Sequence, residues 1–159
     1  MRVTARHATQ VDLDVLVELY RGLEAEMAAL HPMWPLADGL AEPVEAAFIE
    51  ALYDETAMIV IGEIDDYPLG FALARVEEML PQAGEEKVCA IRLVFVDPAA
   101  REVSVGEVIR DLVMAEMRDR GLSKFDAHVL PGHRLVKNFF EAGGFSARSI
   151  VMHHDDNRR

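Results

Sequence analysis

The stretch Arg101-Glu102-Val103-Ser104-Val105-Gly106 follows an apolar run that ends at Asp97-Pro98, and it opens a helical pattern. The first turn of a helix exposes backbone N–H groups without intrahelical partners and carries the positive end of the macrodipole. Such a turn can cradle a pyrophosphate or similar anion without many cationic side chains. Gly106 leaves room for close approach. Any strand-to-helix connection offers a helix start, so the segment also reads as an ordinary junction. Glu26 and His128 are residue types that can accept a proton. Each has a plainer reading, Glu26 as a solvated helix residue and His128 as a satisfied strand histidine. Arg92 cannot be a base, because guanidinium stays protonated in proteins. It either pairs with an acid on a neighbouring strand, such as Glu77, or recognises a ligand carboxylate. His153-His154 and the two aspartates after them are of metal-ligating type, but no third ligand stands at diagnostic spacing, and no metal is expected.

The elements that must position these groups follow from periodicity and punctuation. Residues 2 to 8 are β-prone, and Thr9, Gln10 and Asp12 supply capping chemistry for a helix from about Asp12 to Leu30. Its apolar stripe is Leu13, Leu16, Val17, Tyr20, Leu23, Met27 and Leu30. Two prolines in His31-Pro32-Met33-Trp34-Pro35 break that helix, and a second helix is expected from Pro43 to Tyr53. Ala57 to Ile64 and Leu69 to Leu80 read as a hairpin turning at Asp65-Asp66-Tyr67-Pro68. Val88 to Val96 is almost continuously apolar, as in a strand buried on both faces. Ser104 to Arg120 is a helix that stops at Gly121. Lys124 to Leu130 is a strand, His133 to Ala142 a helix ended by Gly143-Gly144, and Phe145 to His154 the last strands. The order β-α-α-β-β-β-α-β-α-β-β predicts one α/β domain over residues 1–154, a mixed sheet covered by helices, with 155–159 as a polar tail.

Composition narrows the partners. The chain has 159 residues, 51% of them apolar, which suffices for one core. A net charge of -12 argues against a nucleic-acid backbone as partner and mildly favours a cationic one. Cys89 is the single cysteine, so no intrachain disulfide forms. No apolar run approaches the roughly 20 residues of a membrane helix, and no signal core is evident, so no membrane partner and a cytoplasmic location are expected.

Two segments together carry a family likeness. Arg101 to Gly106 resembles the R/Q-x-x-G-x-G/A coenzyme A motif of the GNAT superfamily, and the preceding Leu93-Val94-Phe95-Val96-Asp97-Pro98 resembles that family's fourth strand. Farther on, Val129-Leu130-Pro131-Gly132-His133 and the residues up to Phe145 resemble its V-x-P-x-N-x-x-A-x-x-F-Y-E-x-x-G-F segment. The Gly70-Phe71 step is also similar, and the likeness spans about Val3 to His154. It implies an N-acetyltransferase that passes an acetyl or other acyl group from acetyl-CoA to a small-molecule or peptide amine by direct attack. The backbone around Phe95 and Val96 would bind the pantetheine arm, and an N–H near Val94 or Phe95 would stabilise the oxyanion. Residues Arg101, Glu102, Val103, Ser104, Val105 and Gly106 would hold the pyrophosphate, with His133 and Phe140 also touching the cofactor. The acceptor would enter beside Met33 and Trp34, where Arg92 could meet an acceptor or acyl carboxylate.

The departures from that pattern are specific. Ser104 stands where the family prefers its first glycine, His133 where it prefers asparagine, Phe140 where it usually has a tyrosine acid, and Arg92 where many members have a glutamate base. Glu26 and His128 are then the remaining candidate bases. A catalytically silent acyl-CoA-binding or regulatory domain is the alternative reading, and a homodimer stays open.

Overall fold

The structure, a computed structural model, describes residues 1–84 and 86–157, and the side chains of all of these except Trp34 and Leu36. The strands are β1 (Val3–His7), β2 (Ala57–Ile64), β3 (Tyr67–Glu78), β4 (Lys87–Val96) and β5 (Phe125–Ala127). The helices are α1 (Leu13–Leu30), α2 (Trp34–Ala37), α3 (Val44–Tyr53), α4 (Val105–Asp119) and α5 (Arg134–Ala142). The five strands form one sheet in the order β1-β2-β3-β4-β5, antiparallel except for the parallel pair β4–β5.

Two cores sandwich the sheet. On one face α1 and α3 bring Leu16, Tyr20, Leu23 and Phe48 against Phe71, Leu73, Leu93 and Phe95. On the other, Val105, Ile109, Val113 and Met117 of α4 cover Val60, Ala72, Ala74, Cys89 and Ile91. The helices come close because a glycine lies at each contact, Gly62 in the sheet under α4 and Gly22 on α1 itself. A Cβ on Gly62 would stand 2.7 Å from Ile109 and Val105, and one on Gly22 would stand 2.9 Å from the Phe95 ring. The expected capping chemistry is present: the Asp12 carboxylate accepts from Thr9 N–H at 2.8 Å and takes a bidentate pair of bonds from Arg6, both at 2.8 Å. The hairpin turns on Asp65 and Asp66, both left-handed (φ 48° and 67°). Pro68 sits at a register shift beside Glu63, where a strand tolerates a residue without an N–H.

Three expectations need correction. The loop after α1 contains a short helix, α2, because Pro35 at its second position fits a helix start as readily as it ends one. The strand expected over Lys124 to Leu130 pairs only at Phe125–Ala127, since the chain then turns away from β4. Phe145 to His154 forms no strand among the described residues, and the sheet has five strands. Its composition suits a strand and Arg148 fixes it beside Asp126 of β5, but among the described residues its backbone makes no ladder hydrogen bond.

Candidate active site

The site is built by a change of direction inside β4. Cys89 N–H donates to Lys124 O and Ile91 O accepts from His128 N–H, so the odd-numbered residues of the first half face β5. Asp97 N–H donates to Leu69 O, so the odd-numbered residues of the second half face β3. Only an inserted residue reverses the sides, and the register places it: Ala74 pairs with Ile91 and Leu73 with Leu93, leaving Arg92 as a bulge. The same reversal sends Cys89 and Ile91 to the α4 core and Leu93 and Phe95 to the α1 core. Beyond the bulge, the N–H and C=O of Val94 and Val96 point away from β3, on the side where β5 has ended. A parted pair of strands with a free peptide edge results.

Arg101 reaches back across the end of this edge. Its Nε donates to Val96 O at 2.9 Å, its guanidinium lies 5.6 Å from the centre of the Phe95 ring, and its Nη2 pairs with Glu26 Oε1. The other Glu26 oxygen lies 3.3 Å from Nε2 of His133, which is buried just ahead of α5. Burial holds the His133 imidazole below its usual pKa. Glu26, Arg101 and His133 thus form one chain of contacts linking α1, β4 and α5. Ser104, immediately before α4, is left-handed (φ 69°) and its side chain makes no capping hydrogen bond. A Cβ on Gly106 would meet the Phe139 ring at 3.3 Å and Val96 at 3.8 Å, so the first turn of α4 stands beside the open edge.

A second cluster centres on Arg92. Nε and Nη2 donate to the two oxygens of Glu77 at 2.7 and 2.6 Å, and Nη1 lies 3.4 Å from Asp38 Oδ2 and 3.3 Å from His128 Nδ1. Pairing with Glu77 is the plainer of the two readings of this arginine, and it depresses the Glu77 pKa. The His128 pKa is lowered by partial desolvation of the ring and then by the charge of Arg92. Since guanidinium only donates, Nδ1 is the accepting nitrogen and the hydrogen of neutral His128 sits on Nε2. A cleft of about 220 Å³ opens here, walled by Asp38, Leu40, Arg75, Glu77 and Arg92. It shares Asp38, Gly39 and Leu40 with a shallower depression of about 550 Å³ beside Tyr20 and Glu24.

The structure therefore brings together Val94, Val96, Arg101, Ser104, Gly106, Glu26 and His133 on one side of the bulge, and Arg92 with His128 on the other. Phe95 lies apart from the free edge, since its peptide faces β3. Glu102 is exposed and Val103 half-buried in the turn before Ser104, and Val105 is buried under α4. Phe140 is also in the core, its ring 5.1 Å from those of Phe139 and Phe145. Its neighbour Phe139 is the aromatic that faces Gly106, with Arg110 stacked 4.9 Å above its ring. Met33 donates its N–H to His31 Nδ1 in the loop that leads to Asp38, and the side chain of Trp34 lies outside the described residues. Asp38 and Phe139 were not identifiable beforehand: a loop aspartate beside a glycine reads as a turn, and two adjacent phenylalanines do not reveal which faces inward.

Among the described residues, no group of three or more metal-ligating side chains converges, and no helix is long and apolar enough to cross a membrane. Curated protein sequences give no significant match. Solved structures do resemble the fold. A transcriptional regulator from Bacillus halodurans C-125 superposes with a TM-score of 0.77 at 19% identity, covering 97% of this chain and 99% of the other. AAC(6')-Iy in complex with the bisubstrate analogue CoA-S-monomethyl-acetylneamine gives 0.74 at 19% identity, covering 99% and 100%. An aminoglycoside acetyltransferase from an uncultured soil metagenomic sample, in complex with trehalose, gives 0.70 at 14% identity, covering 99% and 97%. The sequence itself matches the Acetyltransferase (GNAT) family over residues 19–145, a span that contains the bulged strand, the parted edge and the α4 turn just described. With most of the chain inside that match, the protein belongs to the GNAT acetyltransferase family.

Proposed function

We propose that this protein is an acetyl-CoA-dependent N-acetyltransferase that acts on a small cationic amine by direct attack on the thioester. The observation that carries the reading is the peptide edge left open at Val94 and at the Val96 N–H, created by the bulge at Arg92 and standing beside the first turn of α4. Val96 and the α4 turn would bind the pantetheine arm and the pyrophosphate, with Arg101 keeping its pairing to Glu26 and turning Nη1 toward a phosphate. Val94 N–H would donate to the thioester oxygen as negative charge grows there, in a position fixed before the reaction begins. The amine nitrogen bonds to the acyl carbon, the C–S bond breaks, and the sulfur leaves as a thiolate of pKa about 8.5, which needs little help near neutral pH.

Both candidate bases are already engaged. Glu26 is engaged by Arg101 and His133, and the accepting nitrogen of His128 faces Arg92. The proton of the amine therefore passes to water in the open cleft, and positioning and the oxyanion donor carry the rate enhancement. Arg92 would hold Glu77 and Asp38 in place rather than bind substrate itself. The carboxylates of Asp38 and Glu24, in a chain of net charge -12, favour an acceptor carrying a second positive charge.

Calorimetric titration with acetyl-CoA, paired with CoA release across polyamines, aminoglycosides, amino acids and peptides, tests the proposal. Binding together with amine-dependent release is the expected result. Binding without release from any acceptor would favour the silent domain, and no binding would overturn both readings.

A further inference from the structure

The cleft beside Arg92 holds a second arginine, and the two are placed differently. Leu73, Arg75 and Glu77 share one face of β3; Leu73 is sealed under α1 and α3, whereas Arg75 and Glu77 are partly uncovered. The register sets Arg75 opposite Ala57 of β2 and Ala90 of β4, so only methyl groups flank it and the space around its guanidinium stays open. Arg92 is spent on Glu77, Asp38 and His128. Arg75 is not. Its acidic neighbour among the described residues is Asp54, at 3.6 Å, which is too long for a hydrogen bond. Asp54 is itself occupied, its Oδ1 accepting from the N–H and hydroxyl of Thr56 at 2.8 and 2.7 Å. The Arg75 side chain thus makes no hydrogen bond among the described residues, and since no buried side-chain nitrogen there lacks a partner, its donors are open to solvent in the cleft it walls.

Asp38 stands in the same cleft with the opposite charge. Its Oδ1 accepts from Gly39 N–H at 2.9 Å, and its Oδ2 has only the distant Nη1 of Arg92, at 3.4 Å, so that oxygen can accept again. The cleft of about 220 Å³ equals the volume of roughly seven waters, room for the head of one small amino acid. A guanidinium fork takes a carboxylate in bidentate fashion, and a carboxylate takes an ammonium, so Arg75 and Asp38 together complement a zwitterion. Val94 pairs with Ala72, three residues before Arg75, which sets the oxyanion donor roughly 10 Å along the sheet from the Arg75 backbone. We propose that the acceptor is a small diamino acid, held by its carboxylate on Arg75 and its α-ammonium on Asp38, and acetylated on its side-chain amine. That nitrogen bonds to the acyl carbon, the C–S bond breaks, and the amine proton goes to water. The inference rests on the transferase reading above and narrows it, because polyamines and aminoglycosides lack a carboxylate and would leave Arg75 unpaired.

Matched pairs that differ only in the carboxylate test this: lysine against 1,5-diaminopentane and ornithine against 1,4-diaminobutane. Each is titrated calorimetrically into the CoA-saturated protein, and CoA release from acetyl-CoA is followed for the same four amines. At least one amino acid should bind about tenfold or more tightly than its diamine, and its product should carry the acetyl group on the side-chain nitrogen. Arg75→Gln should abolish that preference through KM for the acceptor, with the affinity for acetyl-CoA and the circular dichroism unchanged. Diamines that bind as well as the amino acids, a preference that survives Arg75→Gln, acetylation of the α-nitrogen, or no binding of any of the four to a protein that does bind acetyl-CoA would each overturn the proposal and leave the transferase reading standing. A protein that does not bind acetyl-CoA would overturn both.

Discussion

From Cys89 to Ile91, β4 is paired on both sides, to β3 and to β5, and its residues there are buried. From Leu93 to Val96 it is bonded to β3 alone, and Val94 and Val96 are only partly covered. The residue types hardly differ, since both halves are runs of aliphatic and aromatic side chains. What separates them is one extra residue, Arg92, and the early end of β5. The first half spends its backbone groups on the fold. The second leaves the N–H groups of Val94 and Val96 outside the ladder, where the proposed acyl donor would bind. Hydrophobicity alone does not distinguish the two, but hydrogen-bond accounting does.

The comparison breaks most sharply at Val94. Val94→Pro removes the proposed oxyanion donor without removing a ladder bond, so kcat should fall by about 10²–10³ while the fold survives. Val94→Ala keeps the N–H and should lose only a few-fold. Steady-state kinetics on both variants, with circular dichroism as control, would reveal a proline variant of unchanged kcat and so place the donor elsewhere. The mirror experiment is Ile91→Ala in the first half. It should cost about 2–5 kcal/mol in denaturant unfolding and leave kcat/KM within tenfold in the folded fraction. A larger kinetic loss than stability loss would mean that the first half also belongs to the site.

Phe140→Tyr sharpens the comparison on the α5 side. A family tyrosine at this position acts as an acid, but here the ring is enclosed between Phe139 and Phe145. The added hydroxyl should destabilise by about 1–3 kcal/mol for want of a partner. The single-turnover rate ratio to the parent should stay near one from about pH 6.5 to 9.5. A gain confined to the acidic end would restore the phenol to the chemistry. The smallest effect is expected from His133. Its pKa is depressed in the folded state, so the native protein binds fewer protons than the unfolded chain. Stability is complete above the unfolded value of 6.5 and declines as pH falls through the folded value. The slope should not exceed about 1.4 kcal/mol per pH unit, and His133→Gln should flatten it. Urea titrations between pH 7 and 5 decide the point, and an equal slope in both proteins would assign the loss to other groups.

Much of this architecture was legible beforehand. The α1 stripe, the hairpin at Asp65-Asp66, the buried run Val88–Val96 and the glycine-stopped helices all follow from periodicity and turn chemistry, and nearly all lie where expected. The pairing of Arg92 with Glu77 was also readable, because an arginine within a strand needs an acid across the ladder. The bulge at Arg92 was not, since an inserted residue in an apolar run leaves the run apolar. The engagement of Glu26 by Arg101, 75 residues away, and by His133, farther still, has no local signature. The missing last strands fail for a different reason. Phe145 to His154 has the composition of strands, but a ladder depends on a neighbour, and composition cannot supply one.

Ser104 offers a lesson about substitution within a family. Its left-handed backbone is the conformation glycine adopts without strain, which accounts physically for the family's preference for glycine there. A serine in that region carries roughly 1–2 kcal/mol of steric cost. Glycine would relieve it, but would forfeit about 0.5–1 kcal/mol through the greater freedom of the unfolded chain. The two terms nearly cancel, so Ser104→Gly should move the melting temperature by only a few degrees. Drift between the two residues at this position is therefore almost neutral for folding. Selection can act instead on what the hydroxyl adds, a donor with no partner in the helix cap, standing where the proposed pyrophosphate would meet the first turn of α4.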